Sequence, residues 1–362
     1  MNQHYVPQVY LRNFALQKGK EFYVDVFDRK LERPFCVNTR KICSEIDLYT
    51  LEEGNPFAPD LLAVENIYSQ GIEPLFKRVY ELLVDKTIFQ LNSLHRSEIL
   101  IAIFQFYFRN PAYYKTVLRY HQTQINKLWQ QARANGDKGM SYKEDDFSFR
   151  EWSLEQIQAH FEHIVISHFK TGHLHEIGQL SNFQERTIVE VIHVRDQHEF
   201  ITSDNPLVFN DRAFTSEYAY EKTQEFSIIL NKKTALKLYH DNRKRPDLIH
   251  RCYLPDLSIA EINTRVIEKS SRFIITTKEN YDRQLEMERN FLLNTDIEMK
   301  IDMIRQLLTK FPENTDNTEM RNVFRTYLSK YERDGTLSDL EQYEMVCQLR
   351  EISRRFVQKI AT

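Results

Sequence analysis

The spacing of apolar residues changes period along this chain, and each change predicts an element. At the amino end Val6, Tyr10, Leu11 and Phe14 cluster around Pro7. The proline holds its own backbone angle near the helical value and keeps Val6 extended, so a short helix is predicted to start at Pro7 and not before. Tyr10 and Phe14 then lie one turn apart and turn inward together. The run Glu-Phe-Tyr-Val-Asp-Val-Phe-Asp-Arg over 21–29 is β-branched and aromatic and alternates in its second half, which predicts a strand. A loop marked by Asn55, Pro56 and Pro59 follows. From there the period is helical, with Leu61, Leu62, Val64, Ile67 and Tyr68 forming a stripe behind Asp60 as N-cap. Gly71 and Pro74 interrupt that stripe, and a second helix is expected over 74–84. A strongly apolar helix over 97–108, polar at Gln105, breaks at Asn110-Pro111 and resumes to about Trp129. The polar stretch 135–146 carries Gly136 and Gly139 and reads as a loop, and 152–170 as a helix.

Extended segments dominate next, over 187–194, 199–203, 225–231, 234–240 and 272–277, with turns at Asp204-Asn205-Pro206 and Asn231-Lys232-Lys233. A helix over 256–270 lies among them. Amphipathic helices over 281–311, 317–333 and 337–360 close the chain, with loops at Pro312-Glu313-Asn314 and Asp334-Gly335. This order predicts an α+β fold: a helix-rich body, a mostly antiparallel sheet and a carboxy-terminal helical extension.

Composition narrows the function classes. The 362 residues, 41% apolar, are enough for a large core, and 24 Phe and 19 Tyr against 8 Gly agree with a helical body. A formal net charge of −3 argues against a general nucleic-acid coat protein while leaving room for a local basic cleft. The cysteines Cys36, Cys43, Cys252 and Cys347 form no CxxC pair, so neither a zinc knuckle nor a disulfide frame is expected, and a reduced cytoplasmic setting fits. No basic region precedes an apolar run at the amino end, and no stretch is long and apolar enough for a membrane span; neither a signal peptide nor a membrane partner is expected.

Few segments carry residues suited to chemistry. His4 sits in the extended lead-in to the first helix, with Arg12 at that helix's end, and a packed amino terminus would carry both into the protein. In Phe200-Ile201-Thr202-Ser203-Asp204-Asn205-Pro206 a hydrophobic strand stops at a stiff turn that presents Asp204; the turn reads equally as an Asx-turn in which Asp204 caps its own backbone. Glu65 and Glu73 lie about 12 Å and 80° apart on an unbroken helix, and a break at Gly71 could bring them closer. A glutamate at a helix start is also a common dipole partner. Arg109, where the most buried helix breaks, could grip a carboxylate or phosphate bidentately, or pair internally with one of those glutamates. The histidines His160, His163, His168, His173 and His175 lack a tight ligand spacing and contain no HExxH. The basic run Asn242-Arg243-Lys244-Arg245 has the charge to touch phosphates, but reads more readily as a solvated turn. No Walker loop, GxGxxG or GxSxG occurs.

Gln3-His4-Tyr5-Val6-Pro7-Gln8 followed by Tyr10-Leu11-Arg12-Asn13-Phe14 resembles the opening signature of a broad bacterial family known only as a domain of unknown function. Glu65-Asn66 with Ile72-Glu73, Arg109-Asn110-Pro111 and the Thr202-Ser203-Asp204-Asn205-Pro206 motif follow in the order such proteins show. The resemblance runs from about residue 2 to 278, dividing the chain into a core domain over 1–280 and an accessory helical extension over 281–362. It implies a bacterial cytoplasmic protein of the kind found among parts of mobile or phage-defence loci, and it carries no activity with it.

Two functions compete. The first is a hydrolase, a metal-assisted phosphodiesterase or nuclease, with His4, Glu65 and Asp204 as catalytic groups. Glu65, Asp204 and Glu73 would hold Mg²⁺ or Mn²⁺, and Arg12, Arg109 and Asn205 would contact a nucleic-acid or nucleotide substrate. The second is a non-catalytic sensor or interaction protein whose polar motifs form a structural network, with residues 281–362 binding a protein partner or a second copy. Both rest on the expectation that the His4 imidazole and the Asp204 carboxylate are neighbours.

Overall fold

The computed structural model describes residues 1–362 except 56–57, 173, 176, 178–184, 210–224, 295, 311–317, 339–340, 343 and 346–362. The architecture is α+β with mostly antiparallel sheets. The central sheet runs Leu207–Phe209, Phe226–Asn231, Thr234–His240, Thr187–Val194, Ile249–Leu254. Its neighbours are antiparallel except the last strand, which lies parallel to Thr187–Val194. In the amino-terminal sheet Glu21–Asp28 pairs with Arg33–Asn38 on one side and with Leu16–Lys18 and Phe273–Ile275 on the other. Phe273–Ile275 passes the sheet on to Thr202–Ser203.

The helix Ser93–Phe108 is the spine of the core. From Ile99 to Phe108 it is buried on nearly every side, except for Ile101, because a surface apolar all round but for Gln105 is stable only inside. One side meets the central sheet, with Phe104 and Phe226 rings 4.7 Å apart, and another meets the amino terminus. There Tyr10 is fully buried against Phe14, Phe76 and Phe106, so the terminal helix packs inward as its pattern predicts. That helix spans Gln8–Leu11 with Pro7 as its N-cap residue.

Several elements differ from expectation. The polar stretch 135–146 is not a simple loop: Gly136 ends the long helix Pro111–Asn135 at φ 76°, and Gly139–Tyr142 pairs with Asp145–Ser148 as a hairpin. Met140, Tyr142 and Phe147 bury against Ile125, Ile157 and Phe161 in a cluster of their own, and that tertiary contact outweighs the polar composition. The strands Arg33–Asn38, Leu207–Phe209 and Ile249–Leu254 were not expected, whereas 199–203 keeps only Thr202–Ser203 as strand. The interruption at Gly71 is a π-turn, Tyr68–Ile72, joining Ala63–Ile67 to Glu73–Val84 without a stop. The Ser93–Phe108 helix starts before Ser97 because Asn92 caps it by accepting from the His95 amide.

At the carboxy end Lys278–Asn294, Ile297–Lys310 and Thr318–Asp334 are helical. Ile301, Ile304, Phe324, Leu337 and Met345 form a separate apolar cluster there. The predicted loop at Pro312-Glu313-Asn314, most of the predicted helix 337–360 and His173 lie outside the described residues. No helix among the described residues is long and apolar enough to cross a membrane.

Candidate functional site

The amino-terminal segment enters the core as a strand. Asn2–His4 pairs with Ser44–Ile46, and the Tyr5 amide donates to the Cys43 carbonyl at 3.0 Å. Alternation along this strand sends neighbouring side chains to opposite faces. Gln3, fully buried, accepts from the Tyr49 amide and donates to Thr50 Oγ1 at 3.2 Å. His4 bonds Thr39 O through Nε2 at 3.2 Å. Burial holds the His4 pKa below the ordinary value, and the Arg109 charge adds to that, against the pull of the Thr39 and Arg40 backbone. The imidazole is thereby neutral at pH 7.

Arg109 is the centre of the site. Its helix is buried, so the guanidinium is fully buried too, and a buried charge must be paired and hydrogen-bonded. It donates to Gln105 Oε1 at 3.1 Å, to Glu73 Oε1 at 3.4 Å from two nitrogens, and to the His4 carbonyl. Its face lies 4.1 Å from the Tyr68 ring centroid, and the Tyr49 hydroxyl donates to the Arg109 carbonyl. The π-turn matters here: it places Glu65, Tyr68 and Glu73 around one guanidinium. Burial pushes the Glu65 pKa up, against the pull of Arg109 and with the push of the Glu73 charge. Glu65 Oε2, Gln105 Nε2 and Arg109 Nε are all buried without hydrogen-bond partners. Unfilled polar atoms on three interacting side chains call for a bound water or ligand.

Asp204 occupies a different place. It is 2% exposed, and its carboxylate accepts from the amides of Ser271, Arg272 and Phe273 at 2.9, 2.7 and 3.0 Å. Burial pushes its pKa up to about 6 against the pull of those amides. The turn beside it is held by Ser203, whose hydroxyl accepts from the Asn205 amide at 3.1 Å, so the predicted self-capping by Asp204 is replaced by capping of a distant turn. Asn205 donates to the Lys269 carbonyl at 3.1 Å and thus ties off the helix Asp256–Lys269.

The sequence candidates therefore converge in part. His4, Glu65, Glu73 and Arg109 meet, while Asp204 joins them only through its backbone carbonyl, which accepts from Asn110 Nδ2 at 2.8 Å. The same Asn110 caps Pro111–Asn135 through Ala112 N. The predicted pairing of the His4 imidazole with the Asp204 carboxylate does not form: the first bonds Thr39 and the second is filled by backbone amides. Arg12 is not in the site. It is exposed, with its guanidinium 5.0 Å from the Phe22 ring centroid. Arg109 is too deeply buried to grip a substrate directly, so its expected substrate contact is replaced by internal pairing with Glu73. Among the described residues no three His, Cys, Asp or Glu side chains gather as a metal-ligand group. Tyr49, Tyr68 and Gln105 belong to the centre and were not anticipated; the one available signal was Gln105, the lone polar residue in an apolar run.

The sequence matches along 2–280 the family described as a protein of unknown function, DUF4238. No curated protein and no solved structure matches it. The match spans more than half of the chain, which therefore belongs to that family.

Proposed function

We propose that this member of the DUF4238 family is a hydrolase working by carboxylate acid–base chemistry at Glu65 and Glu73, with phosphodiesters, nucleic acid or nucleotide, as the substrate class. The observation that carries the reading is Glu65: a buried, unpartnered carboxylate oxygen with a raised pKa beside a fixed cation. Environments that separate two neighbouring carboxylates assign them roles. Glu73, partly exposed and ion-paired with Arg109, takes a proton from water as the oxygen attacks phosphorus. Glu65 gives its proton to the departing oxygen as the P–O bond breaks. Arg109 positions both and touches no substrate.

A divalent ion, Mg²⁺ or Mn²⁺, fits as an additional participant rather than a caged one. Mg²⁺ is commonly held by one or two carboxylates plus substrate phosphates. Glu65 and Glu73 offer that many, and the Arg109 charge beside them weakens any site lacking a bound phosphate. The ion would supply electrostatic stabilisation of the developing charge.

The test is incubation of the full chain with DNA, RNA and nucleotides in EDTA, Mg²⁺ or Mn²⁺. Cleavage that Glu65→Gln lowers by about 10²-fold or more is expected. Intact substrates under every condition would remove the proposal.

A second reading, a non-catalytic interaction protein in a bacterial defence locus, is favoured by the fully bonded Asp204 and by the separate carboxy-terminal apolar cluster. Removing that cluster would then abolish association with a protein partner or a second copy, and leave no hydrolysis to lose.

A further inference from the structure

The outer face of the central sheet encloses a cavity of about 230 Å³ beneath the helix Asp256–Lys269. Its floor is one cross-strand row, Ile229, Ala235 and Ile192, and the register places Ala235 between the two isoleucines. A methyl group where its neighbours carry branched chains leaves the space open. Ile262 and Val266 of the helix line the opposite wall.

Two residues along, on the same face, Lys237 lies directly opposite Glu190 on the adjacent strand. Opposite charges in such positions ordinarily pair with each other. Here each is drawn to another partner. Lys237 Nζ binds Glu225 Oε2 at 2.7 Å, and Glu190 Oε1 accepts from Tyr239 at 3.2 Å and Lys244 at 3.0 Å. An ammonium has three hydrogens and a carboxylate two oxygens. Two Lys237 hydrogens and Glu190 Oε2 thus have no hydrogen-bond partner among the described residues; the Lys237 ammonium also lies 5.0 Å from the Tyr239 ring centroid, and both side chains line the cavity. Glu225, Arg265 and Ser227 also line the rim, and a largely apolar hole with spare hydrogen-bonding capacity of both charges at Lys237 and Glu190 matches a molecule with an apolar body and a zwitterionic head.

We propose that this cavity binds a free α-amino acid with an apolar side chain. The side chain rests on Ile192, Ile229 and Ala235, the carboxylate meets Lys237, and the ammonium meets Glu190. The site is separate from the Glu65–Glu73 centre and stands whether or not that centre hydrolyses anything.

Calorimetric titration of the full chain tests it, using L-leucine, L-phenylalanine, 4-methylpentanoate, 3-methylbutylamine and L-glutamate. Leucine or phenylalanine should bind, with the one-charge analogues and glutamate weaker by about tenfold or more. Lys237→Met should erase the preference for leucine over the amine, and Glu190→Gln the preference over the acid. Ala235→Phe fills the floor and should abolish all binding; if overpacking prevents its folding, the two polar variants still decide. Absence of binding at millimolar amino acid overturns the proposal. So does equal binding of the lone acid, which would mark a fatty-acid-like ligand instead.

Discussion

Two carboxylates, the buried Asp204 and the half-buried Glu65, show how differently one fold can treat the same group. Asp204 has both oxygens filled by three backbone amides, all from one turn of the chain. Glu65 has a buried oxygen with no partner and shares a cation with Glu73. The first carboxylate does structural work, stitching the end of Thr202–Ser203 to the turn before Phe273–Ile275. The second is left chemically available. Satisfaction of a buried polar group, more than its burial or its position in a motif, separates a fastener from a candidate reagent.

The comparison can be tested first at the cation. Arg109→Met leaves Glu73 and Gln105 facing an apolar stem and the His4 carbonyl without its donor. It should destabilise the fold by about 3–5 kcal/mol in denaturant titrations. A loss below 1 kcal/mol would show that the centre does not depend on its arginine.

Asp204 makes a pH prediction. Its folded pKa, about 6, lies above the unfolded value, so the folded state holds the proton more tightly. The contribution is fully present below about pH 4 and lost as pH rises through about 6, a change of about 3 kcal/mol. Asp204→Asn cannot titrate, so its stability should lack that fall between pH 4 and 7; an identical pH profile in both proteins would contradict the assignment.

Next comes the hydroxyl of Tyr10, which bonds Thr202 Oγ1 between the terminal helix and the amino-terminal sheet. Tyr10→Phe should cost about 1 kcal/mol, read as a lower melting temperature. Glu65→Gln replaces a carboxyl group that no hydrogen bond holds and should change stability by less than about 1 kcal/mol, in contrast to its expected effect on hydrolysis. The smallest effect belongs to Arg12→Ala, within about 0.5 kcal/mol, since that side chain lies on the surface.

Much of the fold was legible because local rules and tertiary packing agreed. Pro7 set the start of the first helix, the alternation in Glu21–Asp28 matched its half-buried faces, and the apolar run to Phe108 became the core helix. Legibility failed where packing overrode composition. Met140, Tyr142 and Phe147 sit in a polar, glycine-bearing stretch, and only the hydrophobic cluster around Phe161 shows why they form a hairpin. Ile249–Leu254 carries His250 and Arg251 within it, and becomes a strand because Thr187–Val194 offers a parallel edge.

At the site, the residue types alone marked His4, Glu65, Glu73, Arg109 and Asp204 as groups worth following, since ionisable side chains near apolar segments must be either paired or used. Which of them meet was decided by the π-turn at Tyr68–Ile72 and by the strand that carries His4 past Arg109. Both are long-range outcomes: a π-turn redirects side chains by an angle no linear spacing records, and a hydrogen bond between residues 4 and 109 exists only once the intervening chain has folded.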